Sequence, residues 1–248
     1  MKKLCITGIL ILLGFALIAE SLPDGARLLE DSDNAYFPER AEFTMKIENY
    51  DEGEKEQWYK MECSLDGADR YLLVYTDPGI MRGQTQLRLG GTIYKYVRRI
   101  DRIKQVSARQ SFQNTILSQE DVMSATLSRF YTIEGVEEET GENGEQLYSM
   151  SLKAKSRKVA YDTIVANIDE ESLLPVRRLY YARSGELVKE MITKEIRKEG
   201  GKLEYVRFRI VDSLHPEKYA VVTMSGFDTS MDMKRSMFTK QYMRAAAR

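Results

Sequence analysis

The sequence has few of the residues from which catalytic and metal sites are usually built. Only one of its 248 residues is histidine, His215, and only two are cysteines, Cys5 and Cys63. One histidine excludes a metal site made of several imidazoles, and two cysteines exclude a dense disulfide framework. The chain also lacks a Gly-x-Ser-x-Gly elbow, a phosphate loop and a dinucleotide fingerprint. We therefore expect a protein that is not an enzyme and that uses no metal or cofactor.

Carboxylates keep one enzymatic alternative open. Acidic residues are numerous, and Glu120-Asp121 is one of several adjacent pairs. We interpret each pair as charge at a helix start or in a solvated loop. A pair of acids brought together by the fold could still hydrolyse a glycoside, and sequence does not reveal such a pair. A hydrolase is therefore the contrasting hypothesis.

The chain also lacks an apolar run long enough to span a bilayer. Lys2 and Lys3 precede an uncharged run over 4–19, whereas a spanning helix needs about 20 apolar residues. This arrangement predicts a signal peptide over 1–21, cleaved after Ser21 or, as a second choice, after Ala19. The mature chain, 22–248, would then keep a single thiol, that of Cys63.

The overall charge is close to neutral. The net charge is −1, with 30% charged and 43% hydrophobic residues. This balance argues against binding of nucleic acid through bulk charge and against a disordered chain. No internal repeat or linker divides the sequence, and its length suits one all-β domain.

Alternation of apolar and polar residues predicts β-strands along most of the chain. Two strands show it best, with apolar positions Phe43, Met45, Ile47, Tyr59, Met61, Cys63 and Leu65. Such alternation is typical of strands with one buried face. Further strands are predicted at 71–76, 84–89, 92–97, 129–134, 146–153, 159–168, 176–183, 187–196, 203–211 and 219–225. Helices are predicted at 23–33 and 120–127, an acidic loop at 137–145, and a helix or frayed tail at 234–248.

The stretch 70–122 has a recognisable order of features. A strand leads to a turn with a proline and glycines, and two further strands meet at Gly90-Gly91, a strong hairpin signal. A basic segment and a Ser-x-Glu-Asp helix start follow. This order resembles the LolA-like family of periplasmic outer-membrane lipoprotein-sorting proteins. The residues that carry the resemblance are Pro78, Gly83, Leu87, Gly90, Tyr94, Tyr96, Ser111, Ser118, Glu120 and Asp121.

Two positions depart from the family pattern. The family often has tryptophan where this chain has Tyr94, and proline where it has Arg98-Arg99. About a dozen short strands joined by tight turns independently indicate an antiparallel barrel or sandwich. The resemblance implies a mainly β fold with a few helices: a single curved antiparallel sheet that forms an incomplete, half-open β-barrel. The helices would cover its concave face as a lid.

The resemblance also implies a function. It predicts a periplasmic carrier domain over 22–248, exported by its signal peptide, which binds the acyl chains of lipoproteins and moves them toward the outer membrane. An inner-membrane releasing transporter and an outer-membrane acceptor are the implied partners of a monomer that binds no nucleic acid. Alternatives within this fold are a carrier of another lipid and a regulator that senses lipoproteins.

The kinds of apolar residue in the sequence suit a surface that binds acyl chains of varying shape. The sequence has 12 methionines, 15 tyrosines and 8 phenylalanines, and flexible methionines suit irregular apolar ligands. Each methionine taken singly is more simply explained as core. Together with the resemblance, the alternation predicts a lipid-binding wall. Its members are Phe43, Met45, Ile47, Tyr59, Met61, Leu72, Val74, Leu87, Tyr94 and Tyr96.

Two basic clusters remain. Arg98-Arg99 and Arg102 form the first, interrupted by Asp101, and Arg177-Arg178 the second. The simpler interpretation places both on the solvated face of strands. The functional one is docking on an acidic partner or on anionic lipid headgroups.

Overall fold

One antiparallel sheet organises the molecule. The computed structural model describes residues 22–123, 126–141 and 144–247, so the predicted signal peptide lies outside the described residues. The strand order is β6-β5-β4-β3-β2-β1-β13-β12-β11-β10-β9-β8-β7, with β6 and β7 at the two open edges. The predicted fold class, a mainly β, half-open curved sheet with a few helices, is confirmed.

Thirteen strands and three helices make up the described chain. The strands are β1 (Arg40–Asp51), β2 (Glu54–Asp66), β3 (Arg70–Asp77), β4 (Thr85–Leu89), β5 (Thr92–Val97), β6 (Arg102–Val106), β7 (Tyr131–Thr140), β8 (Gln146–Ala154), β9 (Thr163–Asp169), β10 (Pro175–Tyr181), β11 (Leu187–Glu199), β12 (Lys202–Asp212) and β13 (Tyr219–Asp228). The α-helices are α1 (Gly25–Tyr36), α2 (Gln119–Met123) and α3 (Lys240–Ala245). Among these helices, none is long and apolar enough to cross a membrane.

The two best alternating strands pair as their patterns predict. Phe43 lies opposite Cys63 and Met45 opposite Met61, so the apolar sets of β1 and β2 share one face. On the other face Thr44 lies opposite Glu62. Since β1 also pairs with β13, Met45 has Met224 as its neighbour on the other side. The buried face is therefore continuous across the middle of the sheet.

Several predicted elements have other limits, and β6 was not predicted as a strand. The strand predicted at 159–168 begins only at Thr163. The helix expected at 120–127 is shorter, because α2 ends at Met123 and a turn over 127–130 leads into β7. The loop expected at 137–145 is partly strand, since β7 continues to Thr140 and pairs with β8. The tail at 234–248 contains a short 3-10 helix and α3, which packs on β4.

Strands β3, β4 and β5 are covered on both faces. Tyr71, Leu73 and Tyr75 of β3 belong to the main core, whereas Leu72 of the same strand belongs to a second apolar cluster. The C-terminal segment 229–247 supplies the other half of that cluster. The approach is close: a side chain at Gly83, whose φ is +78°, would place a Cβ 2.6 Å from the carbonyl oxygen of Ala247.

The single described thiol is deeply buried. Cys63 is 1% exposed within the main core, and burial raises the pKa of its thiol to about 12. We expect a thiol reagent to label native protein at least a hundredfold more slowly than protein in denaturant, because the thiolate is the reactive form. Reaction rates followed with a chromogenic disulfide would measure this. Equal rates in the two conditions would place Cys63 on the solvated face and reverse the register of β2.

Candidate functional site

The candidate site is the concave face of the sheet together with the segments that cover it. Helix α1 covers part of this face, and residues 107–123, here called the lid segment, cover the rest. A small cavity of about 50 Å³ remains between them and the sheet. It is lined by Tyr36, Phe37, Met45, Tyr71, Glu120, Asp121, Val122, Leu127, Tyr161, Ile164, Arg178, Tyr180, Met191, Phe208, Ile210 and Met224.

The cavity is too small for an acyl chain. Pockets that hold small molecules usually measure about 300–1,000 Å³. A cavity of 50 Å³ has room for a few water molecules only. A larger ligand therefore enters only if the lid segment or α1 moves away from the sheet.

An aromatic contact holds one end of the lid segment. The ring of Phe112 stacks on Tyr75 with 6.1 Å between centroids and meets Tyr59 edge-on at 6.2 Å. The hydroxyl of Tyr75 accepts hydrogen bonds from the amides of Gln113, at 2.8 Å, and Gln86, at 3.2 Å. Gln113 belongs to the lid segment and Gln86 to β4, so the tyrosine joins the lid to the sheet.

A buried ion pair holds the other end. The carboxylate of Asp121 lies 2.7 Å from the ammonium of Lys189 on β11, and the two side chains are 3% and 12% exposed. The hydroxyl of Tyr161 lies 2.7 Å from the Lys189 nitrogen and donates to Asp121. The backbone N–H of Ser118 also donates to Asp121, at 2.7 Å. This network fixes α2 against the sheet.

Glu120, next to Asp121 on α2, is also buried. Its carboxylate accepts hydrogen bonds from the Tyr131 hydroxyl, at 3.1 Å, and from the backbone N–H of Ala160. Burial raises the pKa of this carboxyl above its ordinary value, and the bond from Ala160 and the charge of Arg88 oppose that rise only in part. The acids of this helix start are therefore structural contacts rather than solvated charge.

Two arginines of the sheet point inward. Arg88 on β4 donates to the carbonyl oxygen of Met123 at 2.9 Å and stacks 4.2 Å from the Phe130 ring centre. Arg178 on β10 lies 5.4 Å from the ring centre of Tyr36 and lines the cavity. The placement of Arg178 on the solvated face was therefore wrong. Arg177, its neighbour, pairs outside with Glu190 at 2.5 Å.

Helix α1 is fixed to the turn after α2. Asp33 accepts hydrogen bonds from the backbone N–H groups of Leu127, at 3.0 Å, and Ser128, at 2.7 Å. Burial raises the pKa of Asp33, although these bonds oppose the rise. The hydroxyl of Tyr36 is buried without a hydrogen-bond partner at the edge of the cavity. Polar atoms of α1 thus lie at the edge of a largely apolar cavity.

The ten predicted wall residues do not form one wall. Phe43, Met45, Ile47, Tyr59 and Met61 lie together in the main core on the concave face. The other five lie in or against the second cluster on the convex face, beneath segment 229–247: Leu72, Val74, Leu87, Tyr94 and Tyr96. Both faces of β3–β5 are apolar, so alternation did not identify the inner one. Residues that sequence reasoning missed, Met191, Phe208 and Met224 among them, line the cavity from β11–β13.

The sole histidine lies outside this site. His215 is exposed in the β12–β13 turn, 3.6 Å from Glu217. Within the described ranges, no three His, Cys, Asp or Glu side chains gather in a way that could hold a metal ion.

Comparison with known proteins places the chain in a family. A family model described as that of an uncharacterized protein matches residues 67–245. No curated protein matches the sequence.

Solved structures give the fold. A LolA superfamily protein from Nitrosomonas europaea superposes with a TM-score of 0.81 at 20% identity, over 89% of this chain and 100% of that one. A domain from Vibrio parahaemolyticus, named for outer membrane lipoprotein sorting, gives 0.77 at 15% identity, over 89% and 98%. A DUF1329 family protein from Desulfovibrio piger gives 0.74 at 18% identity, over 88% and 97%.

Proposed function

The chain belongs to the family of uncharacterized proteins whose model covers residues 67–245 and has the fold of the LolA superfamily, and from this premise we propose that it is a lipid-binding carrier. The proposed ligand is the acyl chains of a lipoprotein. They would occupy the space between the concave face and the lid segment.

The observation that supports this most is the methionine-rich floor of the cavity beneath a separate covering segment. The floor includes Met45, Met191 and Met224. The covering is fixed to the rest of the fold by the buried carboxylates Glu120 and Asp121.

Opening would expose apolar side chains of the covering, such as Phe112, Leu117 and Val122, as well as the floor. An acyl chain bound between them would cover both surfaces again. Each methylene group buried on the floor would contribute about 0.8 kcal/mol. Part of this gain offsets the cost of opening.

The nature of the cargo follows from relatives rather than from the cavity. The name of the Vibrio relative refers to outer membrane lipoprotein sorting. By analogy we propose a periplasmic monomer over 22–248 that receives lipoproteins from an inner-membrane releasing transporter and delivers them to an outer-membrane acceptor. The analogy rests on the fold.

Binding without turnover is the expected activity. Glu120 is engaged by Tyr131 and Ala160, and Asp121 by Lys189, Tyr161 and Ser118. A general acid needs a proton to give and a base needs a free lone pair that faces substrate. These carboxylates are occupied by contacts that hold the lid, which favours the carrier over the hydrolase.

The wild-type protein tests the proposal directly. We expect a fluorescent fatty-acyl probe to bind saturably and a triacylated lipoprotein peptide to displace it, while the unacylated peptide does not. Mass spectrometry of lipids that co-purify from the expressing cell would separate lipoprotein acyl chains from another lipid. If folded wild-type protein takes up neither the probe nor the lipopeptide, the proposed function fails.

Matched lysine substitutions on one strand test the location of the site. Met45 lines the cavity, and Thr44 lies on the opposite face, where its hydroxyl is 3.2 Å from Glu62. We expect Met45→Lys to weaken probe binding at least about tenfold, because a buried unpaired charge costs several kcal/mol. Thr44→Lys should leave binding unchanged, since its ammonium can pair with Glu62.

The stability of each variant must also be measured, because Met45→Lys would destabilise the fold even if this face were only a packed core and bound no ligand. Met45→Gln, which carries no charge, provides a folded variant with a smaller expected loss. If Thr44→Lys is the change that abolishes binding, the acyl chain lies on the convex face and the assignment of faces is inverted.

A further inference from the structure

One turn of the sheet presents an isoleucine to solvent. Ile80, in the β3–β4 turn, is 89% exposed, and Ile100, just after β5, is 46% exposed. A fully exposed isoleucine costs solubility and contributes nothing to the core. Single exposed apolar residues are common on protein surfaces. What distinguishes this one is its surroundings.

Arginines surround Ile80. A surface depression of about 540 Å³ is lined by Ile80 together with Arg82, Arg98 and Arg99. The guanidinium of Arg98 donates to the carbonyl oxygen of Arg82 at 3.3 Å, which joins the turn to the segment after β5. We call these four residues the arginine surface.

Few acids neutralise the arginine surface. Asp77 lies 3.4 Å from Arg82, and Asp101 lies 3.3 Å from Arg244 of α3. In the part of the chain that the structure describes, no ion pair engages Arg98 or Arg99. Positive charge is therefore concentrated here, although the whole chain has a net charge of −1.

The arginine surface lies at one end of the sheet and the lid segment begins at the other, since Val106 at the end of β6 pairs with Ile93 near the start of β5. Strand β3 ends at Asp77, β4 begins at Thr85 and β5 ends at Val97, so their connections share one end. The lid segment reaches the same end, because Phe112 packs on Tyr75, near the end of β3.

We propose that the arginine surface docks the protein on a bilayer that contains anionic phospholipid, with Ile80 inserted among the headgroups. Clustered arginines are attracted by anionic headgroups, and their guanidinium groups bind phosphate oxygens with bidentate geometry. An exposed apolar side chain adds affinity once it leaves water at the interface. This inference concerns the outside of the sheet and stands independently of what the cavity binds.

An acidic protein is the less suitable occupant. A stable protein interface buries about 800 Å² on each partner and is depleted of charge at its centre. This surface instead has an isoleucine exposed in a turn, with three arginines lining the same depression. That combination matches the interfacial layer of a membrane.

Vesicle sedimentation tests the docking. We expect the wild type to bind vesicles of equal parts phosphatidylglycerol and phosphatidylcholine at low salt, and to leave them at about 1 M salt, where the Debye length falls to about 3 Å. Pure phosphatidylcholine vesicles should not bind it. Arg98→Glu/Arg99→Glu should weaken binding at least about tenfold, since it reverses two of the three arginine charges that would face the anionic headgroups. Ile80→Ser should weaken it less.

Matched controls lie elsewhere on the surface. Lys198→Glu/Lys202→Glu changes the net charge by the same amount at the opposite end of the sheet, and Met231→Ser removes another exposed apolar side chain. Both should bind like the wild type, and all variants should keep the wild-type melting temperature and acyl-probe affinity. Wild-type protein that ignores anionic vesicles at low salt overturns the proposal. If Lys198→Glu/Lys202→Glu weakens vesicle binding as much as the arginine variant does, the binding depends only on net charge. That result also overturns the proposal.

Discussion

Lys189→Met is expected to destabilise the protein by about 3 kcal/mol, the lower end of the range for breaking a buried ion pair. The Asp121 carboxylate would stay buried without its ammonium partner, and methionine fills similar space. The hydroxyl of Tyr161 and the N–H of Ser118 would still donate to the carboxylate, which is why we expect the lower end. Urea denaturation of both proteins would measure the change.

A double-mutant cycle isolates the pair itself. Asp121→Asn/Lys189→Met removes both charges, so we expect it to recover at least about 1 kcal/mol relative to the sum of the single variants. Lys153 and Asp162 supply a control, because their atoms also lie 2.7 Å apart but on the surface. Lys153→Met should change the free energy of unfolding little. If Lys153→Met and Lys189→Met lower the free energy of unfolding by the same amount, burial does not increase the contribution of the Asp121–Lys189 pair to stability.

The same variant should alter the proposed binding. The pair connects the lid segment to β11, 68 residues away in the chain. Loosening it makes the open form easier to reach, so we expect an acyl probe to associate faster with Lys189→Met than with the wild type. Stopped-flow fluorescence would give the rate. An unchanged rate in a destabilised variant would mean that α2 is not part of the opening.

Phe238→Ala is expected to lower the free energy of unfolding by about 3–5 kcal/mol, the usual range for truncating a buried phenylalanine. Phe238 is buried in the second cluster beside Leu72, Leu87 and Tyr96. Its loss leaves a cavity between segment 229–247 and the convex face. Denaturation would measure the change. Met237→Ala, at the half-buried residue that ends the preceding 3-10 helix, should lower stability less.

Probe binding distinguishes the two clusters. Phe238 does not line the cavity under the lid segment, so the folded fraction of Phe238→Ala should keep wild-type affinity for an acyl probe. Met45→Lys should lose that affinity, as described above. A strong loss of affinity in Phe238→Ala would return Leu87, Tyr94 and Tyr96 to the binding wall, as the alternation first indicated.

The sequence by itself determined the strands and the class of fold. Alternation at 43–47 and 59–65 identified β1, β2 and their buried face, and Gly90-Gly91 identified the β4–β5 hairpin. These signals are local, because side chains of a strand point to opposite faces in turn and tight turns need particular residues. The order of features over 70–122 also indicated the LolA-like fold, which the structures of relatives confirm.

Only the tertiary structure decided which face of β3–β5 is the inner one and how the lid is held. Leu72 and Leu73 are both buried because segment 229–247, remote in sequence, covers one face while the lid segment covers the other. Alternation shows that a strand has two faces, but it does not show what covers each. Glu120 and Asp121 likewise look like solvated helix charge until Tyr131 and Lys189 are brought to them. Their burial depends on residues that approach only when the curved sheet folds over.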